Sequence, residues 1–397
     1  MFQNVFIPYR GYYSSPFCKW QGDLATENAI VLGAETSKRW FEQKGWDPGM
    51  FDYLFLGITI GQYCAFYGSS WAAFMMGAPD IPGVTVMQAC STSTTCVYQA
   101  SLGVESGYYK NAYCLMVDRT SNGPHTIWPN PLGPGGEVIS ENWNMDNFNR
   151  DPSTGQAMIA TAENVAREAG ITREQCDALA LRRYEQYTDA LANDRAFQKR
   201  YMFPAKVKLS KKKSILVEED QGINKCTKEG LAGLEPVVPG GVHTFGSQTH
   251  PADGNVGIQV TTRERAKELS ADANIEIQVV SYGYARTKKA HMPAAAVPAI
   301  KMALEKANLS IGDIKTIKTH NPFAANDIYL AQEMGIDVNG FNNYGSPLIF
   351  GHPQAPTAGR QLVEGIEETV MLGGGYLLFA GCAAGDTGGA LVVKINT

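Results

Sequence analysis

The feature that most restricts the fold is an internal repeat of apolar runs and helix-like stretches, present once before residue 118 and again in the last third of the chain. DYLFLGITIGQYCAFYGSS, VMQACSTSTTCVYQASLGVESG and YCLMVD follow one another in the first half; IKTIKTHNPFAANDIYLA, IFGHPQAPTAGRQLVEGIEE and YLLFAG match them in the same order in the second. Short apolar runs that alternate with helical periodicity predict βαβ units around a largely parallel, buried sheet, with FNNY as one further short strand of the second half. Each half carries a chemically capable residue, Cys90 or His352, where a strand or turn gives way to a helix. Two such units packed face to face bring those helix starts to one interface, a frequent place for a functional site.

Between the halves the character changes. From Arg119 to about Val242 the chain runs through the Pro/Gly/Trp-rich loop NGPHTIWPNPLGPGGE, then helices, then a lysine-rich stretch, which predicts an inserted lobe. One of its helices starts at Thr172 with Gln175 three residues on, a capping-box pattern. The expected division is residues 1–118 with 243–270 as an N-terminal half, 119–242 as the lobe and 271–397 as a C-terminal half. At 397 residues and 44% hydrophobic content, more than one core is expected in any case.

Composition removes several functions. The balance of 34 Lys+Arg against 39 Asp+Glu, a formal charge of -5, provides no global field for nucleic acid. The apolar run in MFQNVFIPYRGYY is too short for a signal-peptide core, and nowhere do about 18 uncharged apolar residues run together, so a soluble, cytoplasmic protein without a membrane partner is expected. The eight cysteines include no CxxC pair, so no zinc ribbon, dithiol redox site or other metal site is expected in this chain.

Four residues stand out as candidates for chemistry. Cys90, in VTVMQACSTSTTCVYQ, follows an apolar strand at the start of a small-residue helix, where free backbone N–H groups favour a thiolate. Taken alone it fits an inert buried cysteine better, because free Cys is among the most buried residue types. His352, in FGHPQAPTAGR, has the ordinary pKa of a proton acceptor for that thiol, although a lone histidine in a turn is as often structural. Cys382 lies in the small-residue turn FAGCAAGDTGGA, which admits a ligand close to the backbone, and His320 ends the strand IKTIKT in THNPFAAND.

Read together, the order, spacing and flanks of these residues resemble the thiolase family over essentially the whole chain. VFIPYRGYYSSPFCKWQG is similar to its opening strand and Arg-containing loop, and the TAEN block with the following helix to its lobe signature. TFGSQTHPADGNVGIQV is similar to its coenzyme-binding segment; THNPFAAND, FGHPQAPTAGR and GCAAGDTGGA resemble its three C-terminal blocks. The resemblance implies a thiolase-like duplicated αβαβα five-layer α/β fold with an inserted α-rich lobe. It implies thiolytic cleavage of a 3-oxoacyl-CoA, or the reverse Claisen condensation, through an acyl-Cys90 intermediate. His352 would activate Cys90 and Cys382 would serve as acid/base. The N–H groups of Cys90 and Ala384 would form one oxyanion hole, His320 and His352 the other, beside Asn321. Coenzyme A, as substrate or product with no bound cofactor, would lie over the lobe, against Met158, Ser247 and Thr249. Lys211, in the basic run Lys206, Lys208, Lys211, Lys212 and Lys213, would meet the phosphates, although such a run equally suits a solvated face.

The departures bear on substrate. Asn321 stands where the family carries an acidic residue, Pro322 replaces the small residue after it, Ala157 replaces a histidine before the Met of the TAEN block, and the run after the second cysteine reads Cys-Ala-Ala-Gly-Asp. These argue against an ordinary acetoacetyl-CoA thiolase. The loop NGPHTIWPNPLGPGGE with Tyr67, Trp71 and Phe74 is expected to line a pocket for a bulky or aromatic acyl chain, with ordinary core packing as the alternative. The resemblance is nearest the branch that pairs with a small subunit bearing a zinc ribbon and an OB-like domain, which would place the zinc in the partner, add that subunit to a homodimer core, and point to benzoylsuccinyl-CoA of anaerobic toluene degradation. The competing readings are an acetyl-CoA C-acetyltransferase or other condensing enzyme of the superfamily, against whose decarboxylating and initiating members Cys382 speaks, and a catalytically lapsed acyl-CoA-binding subunit.

Overall fold

The computed structural model describes residues 1–397. Nine strands, β1 (Phe6–Pro8), β2 (Tyr53–Gly57), β3 (Gly83–Val86), β4 (Asn111–Arg119), β5 (Ala252–Thr261), β6 (Glu276–Arg286), β7 (Ile314–His320), β8 (Gly375–Ala383) and β9 (Thr387–Asn396), run in the order β7-β8-β9-β6-β1-β5-β4-β2-β3. The two halves of this sheet meet at β1, whose Phe6 opposes Thr261 of β5 on one side and Gln278 of β6 on the other. The sheet is mixed, which corrects the expectation of a largely parallel one. Parallel pairing is confined to β2 with β3 and β4, and to β7 with β8. Each half closes instead by an antiparallel return, β4 to β5 after the inserted lobe and β8 to β9 through a tight turn that needs no crossover helix.

The principal helices are α1 (Ala29–Lys44), α2 (Gly68–Met76), α3 (Thr92–Glu105), α4 (Trp143–Asn149), α5 (Met158–Glu168), α6 (Arg173–Arg195), α7 (Ala296–Ala307), α8 (Ala324–Met334) and α9 (Gln354–Met371). α3 and α9 pack on each other between the two sheet halves, and 16 of the 18 residues of α9 are buried, as a central layer requires and a surface helix does not. Their approach depends on Gly359: a Cβ there would lie 3.0 Å from Ser93 Oγ and 3.1 Å from both Met116 and Val256. α1 and α2 cover the outer face of β2 and β4, and α7 covers β6 and β9, completing the five layers. α1 is well delimited, with the Asn28 side chain accepting from the N–H groups of Ile30 and Val31 and left-handed Gly45 closing its C-terminus.

FNNY is not a strand. Asn342 and Tyr344 adopt left-handed backbone, with φ of 59° and 65°, which breaks an extended run. The Asn342 side chain instead accepts the Thr319 N–H of β7 at 2.8 Å. In the lobe, α6 begins with the expected capping box, Thr172 and Gln175 each bonding the other's backbone N–H. The lobe is fastened to the C-terminal half by the ion pair Arg183–Asp327 (2.9 Å), both side chains fully buried. Removing one member of such a pair strands the other charge, at a cost of about 3–5 kcal/mol. No helix is long and apolar enough to cross a membrane.

Candidate active site

The turn Ala89–Ser91 joins β3 to α3 and carries Cys90. Ala89 has φ 44°, a left-handed conformation that costs an L-residue about 1–2 kcal/mol and holds the chain in a sharp elbow. His352 follows Gly351, whose φ of 88° and closeness to His250 (2.6 Å for an added Cβ) exclude a larger residue. The two elements meet: His352 Nε2 lies 3.1 Å from Cys90 Sγ, although the residues are 262 apart in sequence.

The hydrogen bonds around His352 decide its tautomer. Thr357 Oγ1 donates its only proton to the Pro353 carbonyl, one turn back in α9. Toward His352 Nδ1, 2.8 Å away, the same oxygen therefore accepts. Nδ1 carries the proton, and Nε2 presents its lone pair to the Cys90 thiol, as a general base must. Burial, reinforced by His320 nearby, holds the His352 imidazole well below its ordinary pKa. Burial pushes the Cys90 thiol up to about 12, against the opposing pull of the Ala384 and Cys90 N–H groups on its sulfur. The resting pair is therefore a neutral thiol and a neutral imidazole. Desolvation works against the thiolate expected at a helix start and outweighs the backbone donors, and α3 itself begins two residues further on.

His320 ends β7, 1% exposed, with its ring centroid 4.2 Å from that of His352. Both its nitrogens lack a hydrogen-bond partner, and burial lowers its pKa to about 3, so it is neutral at any physiological pH. A buried, unpartnered imidazole beside a nucleophile is ready to meet a ligand oxygen. Cys382, near the end of β8, is fully buried among Ala162, Met292, Ala295 and Phe323, and burial raises its thiol pKa strongly.

Of these four groups, Cys90 and His352 open onto a cavity of about 620 Å³, within the range of small-molecule sites. Cys90, His352, Ala384, Met158 and Thr249 line it, with Trp143, Met145 and Phe148 of α4 on the lobe side, and no Asp, Glu, Lys or Arg lines it. Tyr67, Trp71 and Phe74 lie elsewhere. NGPHTIWPNPLGPGGE forms an outlying hairpin, His125–Pro129 with Val138–Asn142, whose Trp128 bonds Glu141 and stays partly exposed; only the helix after it reaches the cavity.

Five sequence candidates are not on the cavity wall: the buried His320 and Cys382, and Asn321, Ser247 and Lys211. The Asn321 side chain donates to Asp327 (2.6 Å) and Ser346 (3.0 Å) and accepts the Leu348 N–H (3.2 Å), so it braces the loop after β7. Ser247 is fully buried and closes its own turn by accepting the Thr244 N–H at 2.9 Å. Lys211 lies in the exposed turn of the hairpin Ala205–Lys208 and Ser214–Val217, which is pinned to α1 by Lys208–Glu35 (2.7 Å).

Other residues that shape the site escaped the sequence reading. Asp118, at the end of β4, accepts from the N–H groups of Thr59 (2.9 Å), Ile60 (2.9 Å) and Ala355 (2.6 Å) and from the Thr59 hydroxyl. It joins the loop after β2 to the first turn of α9, one half to the other. Burial raises its pKa to about 6, despite the donors around it. A carboxylate ending a buried strand was a visible signal. Thr357, and Asn326 beside Cys382, gave none.

Comparison with known proteins agrees with this geometry. Residues 11–264 match the thiolase N-terminal domain and residues 273–395 the thiolase C-terminal domain. The acetyl-CoA acetyltransferase of Syntrophomonas wolfei is 28% identical over 384 residues, covering 92% of each chain. Mouse peroxisomal 3-ketoacyl-CoA thiolase A is 29% identical over 314 residues, 75% of this chain and 68% of that one. The crystal structure of the Bacillus anthracis acetyl-CoA acetyltransferase superposes with a TM-score of 0.90 at 26% identity, covering 99% of both chains. With both domains matched in order and a cysteine–histidine pair where the two halves meet, the chain belongs to the thiolase family and is an acyltransferase.

Proposed function

We propose that this enzyme cleaves a 3-oxoacyl-CoA with a bulky or aromatic acyl group by thiolysis, or forms it by the reverse condensation, through an acyl-Cys90 intermediate. The observation that carries the proposal is the Cys90–His352 contact, with two backbone donors at the sulfur, opening on a large cavity without charged walls. His352 takes the thiol proton as Cys90 attacks the 3-oxo carbon. The N–H groups of Cys90 and Ala384, donors toward the sulfur at rest, serve the oxyanion that develops, and losing one such donor costs about 3–4 kcal/mol of barrier. As the carbon–carbon bond breaks, Cys382 protonates the departing enolate; the thiol of free CoA then takes the acyl group from Cys90, its proton going to Cys382 while His352 returns the other to the Cys90 sulfur. His320, with its nitrogens free, suits the enolate oxygen. Met158 and Thr249 suit the pantetheine arm.

The aromatic wall of Trp143 and Phe148 favours a bulky, uncharged acyl chain. Benzoylsuccinyl-CoA has the aromatic group but also a free carboxylate, which on this wall meets only amides such as Gln248 and Gln354, or else a partner subunit. The names of the relatives equally favour a second reading, acetyl-CoA C-acetyltransferase. Steady-state thiolysis of benzoylsuccinyl-CoA, an uncharged aromatic 3-oxoacyl-CoA and acetoacetyl-CoA separates these. We expect kcat/KM for an aromatic substrate at least about tenfold above that for acetoacetyl-CoA; the opposite ranking establishes the second reading. The proposal includes a cytoplasmic homodimer joined by the small zinc-ribbon/OB-fold subunit. It is supported by β3, an edge strand with exposed Val84, and by exposed Phe74 on α2, which packs on that strand. Light scattering with and without that subunit tests it.

A further inference from the structure

We infer that Asn326 is a catalytic residue, whose side-chain amide holds the thiolate form of Cys382 during proton transfer at the substrate's C2. The inference rests on the acid/base role proposed above for Cys382 and names the group that makes the role possible. Cys382 is fully buried in an apolar cluster. After giving its proton to the enolate carbon it is a buried anion, and an isolated charge there is strongly disfavoured. Apart from the cysteine's own backbone N–H, the structure supplies one donor: Asn326 Nδ2, 3.1 Å from Cys382 Sγ.

The orientation of that amide is forced. Asn326 Oδ1 accepts the Phe323 N–H at 3.1 Å at the start of α8, so the –NH2 end faces the sulfur. A flipped amide would set its –NH2 against the Phe323 N–H, losing that bond and placing two donors together. A donor fixed in this way is a weak partner for a neutral thiol and a strong one for a thiolate, so its contribution rises along the proton-transfer coordinate. Asn326 is 4% exposed. Its side-chain hydrogen bonds go to the Phe323 N–H and the Cys382 sulfur, not to Cys90 or His352.

In thiolysis the Cys382 S–H bond breaks, its proton forms the new C2–H bond, and the sulfur keeps the electron pair; the proton lost from Cys90 resides on His352. In the next half-reaction the CoA thiol proton returns to Cys382 as CoA sulfur attacks the acyl carbon, and His352 returns its proton to the departing Cys90 sulfur. In condensation the same sulfur removes the C2 proton. Asn326 is called on only while Cys382 is anionic.

Two reactions of the full-length enzyme isolate that step. Exchange of labelled CoA into an acyl-CoA starts with His352 neutral, so the proton it takes from Cys90 can pass directly to the departing CoA sulfur and Cys382 stays a thiol; solvent deuterium entry at C2 of the same thioester requires Cys382. In Asn326→Ala and Asn326→Asp we expect deuterium entry and thiolysis to fall about 10- to 100-fold, with CoA exchange lowered far less, and the pH profile of deuterium entry to move upward by about one unit. Asn326→Asp keeps the shape and the Phe323 bond while setting an acceptor against the sulfur, so a loss there is not a packing effect. Equal losses in both reactions, or an unmoved pH profile, overturn the inference. Wild-type enzyme without CoA exchange would instead overturn the acyl-Cys90 reading on which it rests.

Discussion

Replacing Thr357 with valine tests whether the tautomer of His352 is held as the hydrogen bonds require. Valine keeps the β-branched shape, and the Pro353 carbonyl still receives the residue-357 N–H, 3.1 Å away. The only group left without a partner is therefore His352 Nδ1–H, now 2.8 Å from a methyl group instead of an oxygen. An unsatisfied buried donor costs about 1–3 kcal/mol. The ring escapes that cost by moving its proton to Nε2, but a protonated Nε2 cannot accept the Cys90 proton. The penalty thus falls on the reactive tautomer alone, and at 1.36 kcal/mol per decade acylation should slow about 5- to 150-fold. Rapid-quench measurement of acyl-Cys90 formation reads this directly, with thermal unfolding as the control for folding. Thr357→Ser, which keeps the hydroxyl, should stay within about threefold of wild type. Acylation by the valine variant within twofold of wild type would refute the tautomer argument.

Three further outcomes are expected. With the Cys90 thiol pushed up to about 12 and His352 neutral, its alkylation by iodoacetamide should rise about tenfold per pH unit from pH 7 to 10. A plateau near neutrality would show a thiolate–imidazolium pair instead. Asp118 titrates at about 6, above its unfolded value, so its contribution to stability is fully present below about pH 4 and is lost as pH rises through 6, a change of about 3 kcal/mol. Activity, which needs the ionised form to hold the Ala355 N–H, should fall in the opposite sense, with an acid midpoint near 6 that is absent in Asp118→Asn; unfolding and rate profiles of the two proteins check this. Arg183→Met leaves Asp327 charged and buried without its partner, and should cost about 3–5 kcal/mol in denaturant unfolding. A loss below 1 kcal/mol would mean that the Asn321, Asn342 and Thr319 donors satisfy Asp327 alone.

What could be read from the sequence was local or periodic. The repeat, the capped α6 helix and the two helix starts each declare themselves within a few residues, and the repeat alone implied that Cys90 and His352 would meet. The strand directions were harder, because a direct return such as β8 to β9 differs from a crossover only in the few residues of its turn. FNNY read as a strand because left-handed backbone at Asn342 and Tyr344 leaves no mark on hydropathy. Asn321 sat in a catalytic block, yet its side chain is turned to Asp327, which pairs with Arg183, 144 residues upstream in another lobe. Asp118 depends in the same way on an N–H group 237 residues away. The aromatic loop failed as a pocket wall because Trp128 finds its partner, Glu141, within its own hairpin, leaving the cavity to Trp143 and Phe148 of the next helix.

The central claim is that Cys90 carries the acyl group. Intact-protein mass spectrometry with peptide mapping, after mixing the enzyme with aromatic and aliphatic 3-oxoacyl-CoAs with and without free CoA, tests it most directly. The account predicts an adduct on the Cys90 peptide, of the mass of the acyl fragment, that disappears when CoA is added and is absent in Cys90→Ala. No adduct from any substrate, even with the small partner subunit present, or turnover that survives Cys90→Ala, would contradict it.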